Sequence, residues 1–219
     1  GNPLEGFVQM FRSSYALTQG GFVLLMSWVS TVAYFFQTDL VARAFGALAA
    51  RTQAIADIDL AVNVCTALIL FFGLSRLLRR FGVTGGLVLN PLLMLVAFLG
   101  IALAPSLLMI QGVQVVRRVA QYAFARPSRE ICFTVMPQSG RYKTKNVIDT
   151  VFYRFGDMSS AWMQSGLRAA GFGLGGGVAV GLGAAALWGL TAGYLGRRYE
   201  RIRRGGLPGG ASGSSRLAG

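Results

Sequence analysis

Residues 20–42 read GGFVLLMSWVSTVAYFFQTDLVA, and Asp39, close to the far end, is the one charged residue among them. An α-helix rises 1.5 Å per residue, so about 20 apolar residues cross the ~30 Å hydrocarbon core of a bilayer. This stretch meets that requirement, and the rest of the chain repeats it. Further apolar runs occupy about 58–78, closed by Arg76, Arg79 and Arg80, and about 83–104, which contains Pro91. Others cover about 105–124, 147–171 and 173–195, the last closed by Arg197, Arg198, Arg201, Arg203 and Arg204. A proline kinks such a helix without forbidding a membrane span.

Composition points the same way. Of 219 residues, 53% are hydrophobic and 13% charged, against roughly 25% charged in an average soluble domain. A soluble fold could not cover its surface with so few charges. The expected fold is therefore all-α: a polytopic membrane protein with six transmembrane helices. Residues 1–19 form an interfacial lead-in, with Phe7, Met10, Phe11 and Tyr15 at helical spacing. Residues 20–196 form the six-helix bundle, and residues 197–219 a basic, then Gly/Ser-rich, tail. The opening Gly1-Asn2-Pro3 reads as a point inside a longer chain, with no signal-peptide pattern.

The net charge of +13 comes from 21 Lys and Arg against 8 Asp and Glu. Cytoplasmic loops collect Lys and Arg. One side gathers Arg76, Arg79 and Arg80, then Arg126, Arg129, Arg141, Lys143 and Lys145, then the final arginine cluster. The other side holds Arg43, Arg51 and Arg168. Both termini are accordingly expected on the cytoplasmic side, with lipid as the main surroundings. The basic residues lie between apolar runs and no nucleic-acid-binding motif is present, so nucleic acid is not an expected partner. Cys65, Cys132 and the absence of histidine exclude a Cys/His metal site, and no cofactor is implied. No histidine and no nucleophile–base pair speak against an enzyme.

Charged groups inside spans are costly and face a cavity or a partner. Arg117 and Arg118 lie in the middle of the fourth run and point about 100° apart on a helix. Either could grip a carboxylate or phosphate, or close an ion pair within the bundle. Asp149, Tyr153 and Asp157 are four residues apart on the fifth run, and Arg154 is three residues from Asp157. Those groups could form a coupling network or sit at an interface where their charge costs little. Gln114 and other polar residues in the spans read as interhelical hydrogen bonds or ligands. Asp57 and Asp59 read as solvated at the end of the second run. Gly173, Gly177 and Gly181, and again Gly189 and Gly193, are four apart and predict close helix packing.

The segment from Tyr122 through Arg126-Pro127, Arg129-Glu130, Tyr142-Lys143, Lys145, Ile148-Asp149 and Arg154 to Gly156-Asp157 resembles nucleotide (ATP/ADP) translocase-like proteins. The resemblance is to the region between the fourth and fifth helices of their carboxy-terminal half. These proteins belong to the major facilitator superfamily, whose short basic loop is similar to residues 76–82 here, RLLRRFG. The resemblance implies helices seven to twelve of a twelve-helix transporter in a bacterial inner membrane. The missing partner is then an amino-terminal six-helix half or a second copy. It implies secondary transport or exchange of a small anionic solute, a nucleotide or a phosphorylated or carboxylated metabolite. Arg118, Arg117, Gln114 and Tyr122 would contact substrate, and Asp149, Arg154, Asp157 and Lys145 would gate or couple. Arg118 matches a family lysine, while Ala33 replaces a family glutamate and Asp157 a family lysine. A non-transporting anchor or sensor that retains the fold is the alternative.

Overall fold

The computed structural model of the chain describes residues 8, 10–72, 74–104, 106–136, 138–172 and 174–205, without the side chains at 72, 74–79, 81, 138–140 and 174. Among them the protein is helical throughout, with no strand. Helix α1 is Ser14–Ala44, α2 Leu48–Phe72 and α3 Leu74–Leu103. Then come α4 (Leu107–Ala120), a first π-turn (Gln121–Ala125) and α5 (Arg126–Phe133). After them follow α6 (Gln138–Val147), a second π-turn (Ile148–Phe152), α7 (Tyr153–Ala169) and α8 (Leu174–Arg204).

Among the described residues, four helical stretches are long and apolar enough to cross a membrane: Ser14–Ala44, Leu48–Phe71, Gly82–Leu103 and Gly175–Arg204. The fourth and fifth sequence runs differ from these. Backbone angles stay helical through both π-turns, so α4 and α5 make one rod, and α6 and α7 another. Each rod mixes an apolar part with a charged tip. In 126–146, the longest polar stretch between the apolar runs, residues 126–133 and 138–146 are thus helix ends, with a turn at 134–136.

Local chemistry sets the breaks. Ser13 has extended backbone, and its hydroxyl accepts the Ala16 N–H at 3.3 Å, starting α1. Residues 14–19, expected in the interfacial lead-in, therefore belong to the first long helix. Residues 1–7 and the tail from 206 lie outside the described residues. Arg51 donates to the carbonyls of Phe45 at 2.7 Å and Ala42 at 3.1 Å, closing the other end of α1. Gly82 has φ +66°, a left-handed value that glycine adopts without penalty, and it separates the basic segment at 74–81 from the apolar part of α3.

The helices form two layers. In front, α2 packs on α4, α4 on α1, and α1 on α7. Behind them α3 and α8 run antiparallel along one another, α3 also touching α4 and α8 touching α1. Glycines hold the rear pair close. A Cβ on Gly181 would fall 2.8 Å from the Phe98 ring, and one on Gly196 only 2.8 Å from Thr84 Cα. Gly177 meets Phe36 in the same way, so the four-residue glycine spacing marks the packing face of α8. Phe22, Trp188, Phe98 and Phe36 fill the core between the layers. In contrast α2 is barely covered by its own chain, and Leu60, Leu68 and Phe71 stand exposed.

Candidate functional site

One turn of α1 organises the charges of the front layer. Ser27, Ser30 and Thr31 lie in the middle of a mostly apolar run, at the i, i+3, i+4 spacing that shares one helical face. The helices on either side of α1 each bring it a charged group.

From α4 comes Arg117, buried to 9% exposure. Its Nη1 donates to Ser30 Oγ at 2.9 Å and to Gln121 Oε1 at 3.3 Å, and its Nε donates to Gln114 Oε1 at 3.0 Å. Gln114 is held in turn, since its Nε2 donates to the Ala33 carbonyl at 2.9 Å. All the acceptors are neutral. Among the described residues no carboxylate pairs with Arg117, and its Nη2 meets no acceptor. A guanidinium carries five N–H donors; three are used here and two remain. Burying an ion costs several kcal/mol unless a partner compensates it. Three neutral hydrogen bonds orient this cation without neutralising it.

From α7 comes Asp157. Ser27 Oγ and Thr31 Oγ1 both donate to its Oδ1, the second at 3.2 Å. Gly156 makes this approach possible, because a Cβ there would sit 2.9 Å from Ser27 Cβ. Trp28 Nε1 donates to Ser159 Oγ at 2.8 Å and fixes the same contact one turn further on. Tyr153, on the same helix, lies within electrostatic reach of Asp157, Tyr122, Arg117 and Arg126.

The other predicted residues are placed differently. Arg118 pairs with Asp59 across α2 and α4, both side chains partly exposed. Asp59 therefore has a specific partner, where the sequence suggested solvent alone. Tyr122 carries the Arg126 guanidinium 4.8 Å above its ring, a cation–π contact. Asp149 lies in the second π-turn and pairs with Arg129 at 2.9 Å, joining the two charged rods. Lys145 pairs with Glu130 at 2.6 Å, and Glu130 lies 3.8 Å from Arg129. Asp149 and Lys145 thus belong to one ionic network beside a cavity of about 360 Å³ lined by Met26, Arg126 and Tyr153. Arg154 is exposed and makes none of the ion pairs among the described residues.

At the opposite end Arg168 donates to Asp39 at 2.8 Å and stacks over Phe35 at 5.3 Å. The bundle is therefore pinned by ion pairs at both ends, with the uncompensated Arg117 between them. Sequence reading singled out Arg117 and Asp157 but missed Ser27, Ser30, Thr31 and Gln121, which hold them. The polar stripe in an apolar run was the clue available.

No family model, curated protein or solved structure matches this chain, so its chemistry is read from its own side chains.

Proposed function

We propose that this chain is one six-helix half of a secondary transporter of the major facilitator type, which carries an anionic solute by alternating access. The observation that supports this most is Arg117, a buried guanidinium held by Ser30, Gln114 and Gln121 with Nη2 left over. The two N–H groups on Nη2 can each donate a charge-assisted hydrogen bond to an oxygen of a carboxylate or phosphate. An ion so costly to bury, with no carboxylate partner among the described residues, is best accounted for by a ligand that arrives and leaves.

In this reading α4 and α7 each cross the membrane with the four more apolar helices, giving six passes with both termini cytoplasmic in a bacterial inner membrane. Substrate contact belongs to Arg117, supported by Gln114. Arg118 and Tyr122 have the structural partners Asp59 and Arg126 in this conformation and would contribute after rearrangement. Asp157, anchored on the same α1 turn as Arg117, links the solute to movement of α7. Asp149 and Lys145 act as a gate through Arg129 and Glu130, and Arg154 on the exposed face of α7 meets the other half. The exposed face of α2 fits the same partner, an amino-terminal half or a second copy.

The test is a thermal-shift screen of organic phosphates and carboxylates on the purified chain. A ligand that binds the native state raises its melting temperature. A compound that stabilises the wild type and leaves Arg117→Gln unmoved is the expected result. A screen whose positive compounds stabilise both proteins equally removes Arg117 from the reading.

A further inference from the structure

Arg117 also borders a groove that the polar cluster does not use. Between α3 and α4 lies a space of about 500 Å³, lined by Met94, Ala97, Met109, Gly112, Val113 and Arg117. Ligand pockets usually measure about 300–1,000 Å³ and are mostly apolar, with a few placed polar groups. Here the placed group is a cation. The lining on α4 runs from Ser106 to Arg117, about 16 Å at 1.5 Å per residue. The groove is thus an apolar slot with Arg117 at one end, and among the described residues the Nη2 of Arg117 has no acceptor.

We infer that the groove takes an amphiphilic anion, with its alkyl chain along α3 and α4 and its acidic head on Arg117. This rests on the anion reading above and narrows it: the solute carries a hydrocarbon body. Charge complementarity selects the head. A neutral or cationic amphiphile would leave the guanidinium uncompensated, and a cation would add repulsion. The lining selects the tail, because Met94 and Met109 are flexible thioethers that adapt to an alkyl chain. The same chemistry occurs in a free alkyl acid and in an anionic phospholipid, whose acyl chain could enter sideways from the bilayer.

Gly112 provides the decisive variant. A Cβ there would meet nothing within 4 Å, so Gly112 has room for the start of a larger side chain, and Gly112→Leu narrows the slot it lines. Wild type, Gly112→Leu and Arg117→Gln are reconstituted in neutral phosphatidylcholine nanodiscs. Each is melted with dodecanoate, with acetate at equal concentration, and with dodecyltrimethylammonium. Dodecanoate is expected to raise the wild-type melting temperature more than acetate does, and the cation not at all. Gly112→Leu should weaken dodecanoate about tenfold, equivalent to displacing roughly two methylene contacts, and leave the acetate response unchanged. Arg117→Gln should lose both responses. A second arm replaces dodecanoate with phosphatidylglycerol in the disc. A rise there that Gly112→Leu removes identifies bilayer lipid as the source, and a rise with dodecanoate alone identifies the free acid. The inference is overturned if Gly112→Leu responds to dodecanoate as the wild type does, if the cationic amphiphile serves equally well, or if neither source stabilises the protein. Should Arg117→Gln keep every response, the anion reading beneath it fails too.

Discussion

The rear pair, α3 and α8, and the front rods built from α4–α5 and α6–α7 solve the same packing problem differently. From 83 to 103 and from 174 to 196 the rear helices carry no charged residue. They close on glycines, Gly181 against Phe98 and Gly196 against Thr84. Between 117 and 168 the front rods carry Arg117, Arg118, Arg126, Arg129, Glu130, Arg141, Lys143, Lys145, Asp149, Arg154, Asp157 and Arg168, and each is interrupted by a π-turn. Van der Waals contact between notched helices needs no water and has one good arrangement. Ion pairs and polar contacts can be exchanged for one another. The rear layer is therefore the scaffold, and the front layer is where a ligand or a movement can act. Single π-turns inside helices recur at functional sites, which agrees with their restriction to the front rods among the described residues.

Substitutions that separate ligand binding from stability break this comparison most directly. Arg117→Gln should reduce anion affinity at least about a hundredfold, the scale expected when a charged hydrogen-bonding partner is removed. It should not lower the melting temperature in the absence of ligand, because it also removes a buried ion that has no charged partner among the described residues. A large loss of stability would mean that Arg117 is part of the scaffold after all.

Gly196→Leu should do the reverse. Its Cβ would fall 2.6 Å from Thr84 Oγ1 and 2.8 Å from Thr84 Cα, and Thr84 donates to Glu200 Oε1 at 2.7 Å. Overpacking against backbone belongs at the upper end of its range, about 3 kcal/mol. Thermal or denaturant unfolding should report that loss, while anion affinity per folded molecule stays at the wild-type value.

Asp149→Asn tests the link between the two front rods. It leaves the Arg129 side chain, 11% exposed, without its nearest carboxylate partner. Breaking a fully buried pair costs 3–5 kcal/mol; with Asp149 a third exposed, about 2 kcal/mol is expected. Because this pair lies at one end of the rods and Arg117 lies between the ends, affinity should change less than stability. Arg129→Gln should recover part of the loss in an Asp149→Asn background, since the two side chains share one interaction.

Much of this division is legible in the sequence, and the missing part has one physical cause. Apolar run length gives the α1 span, and the spacing of Gly177, Gly181, Gly189 and Gly193 gives the packing face of α8. Charges within spans direct attention to Arg117, Arg118, Asp149 and Asp157. What the chain does not spell out is pairing. Arg118 meets Asp59, 59 positions away, and Asp157 meets Ser27, 130 positions away. Only the packed bundle says which of two adjacent arginines finds a carboxylate. The π-turns leave no local mark either: Gln121–Ala125 and Ile148–Phe152 read as ordinary helix in the sequence.

Arg118→Gln is the smallest test and bears on that adjacency. Its partner Asp59 is about half exposed, and Arg118 itself is 28% exposed. Pairs exposed to this degree contribute about 0.2–1 kcal/mol. The substitution should therefore lower stability by that amount at most, and it should weaken anion affinity far less than Arg117→Gln does, because Arg118 reaches the anion only when the Asp59 pair opens. Exchanging the charges in Asp59→Arg with Arg118→Asp should restore the lost stability, because the contact between α2 and α4 needs opposite signs in either order. If Arg118→Gln instead removes anion binding as completely as Arg117→Gln does, both arginines contact the ligand. The Asp59 pair would then be one state of an exchange, broken each time an anion arrives, and the front layer would be more changeable than the ion pairs of a single conformation convey.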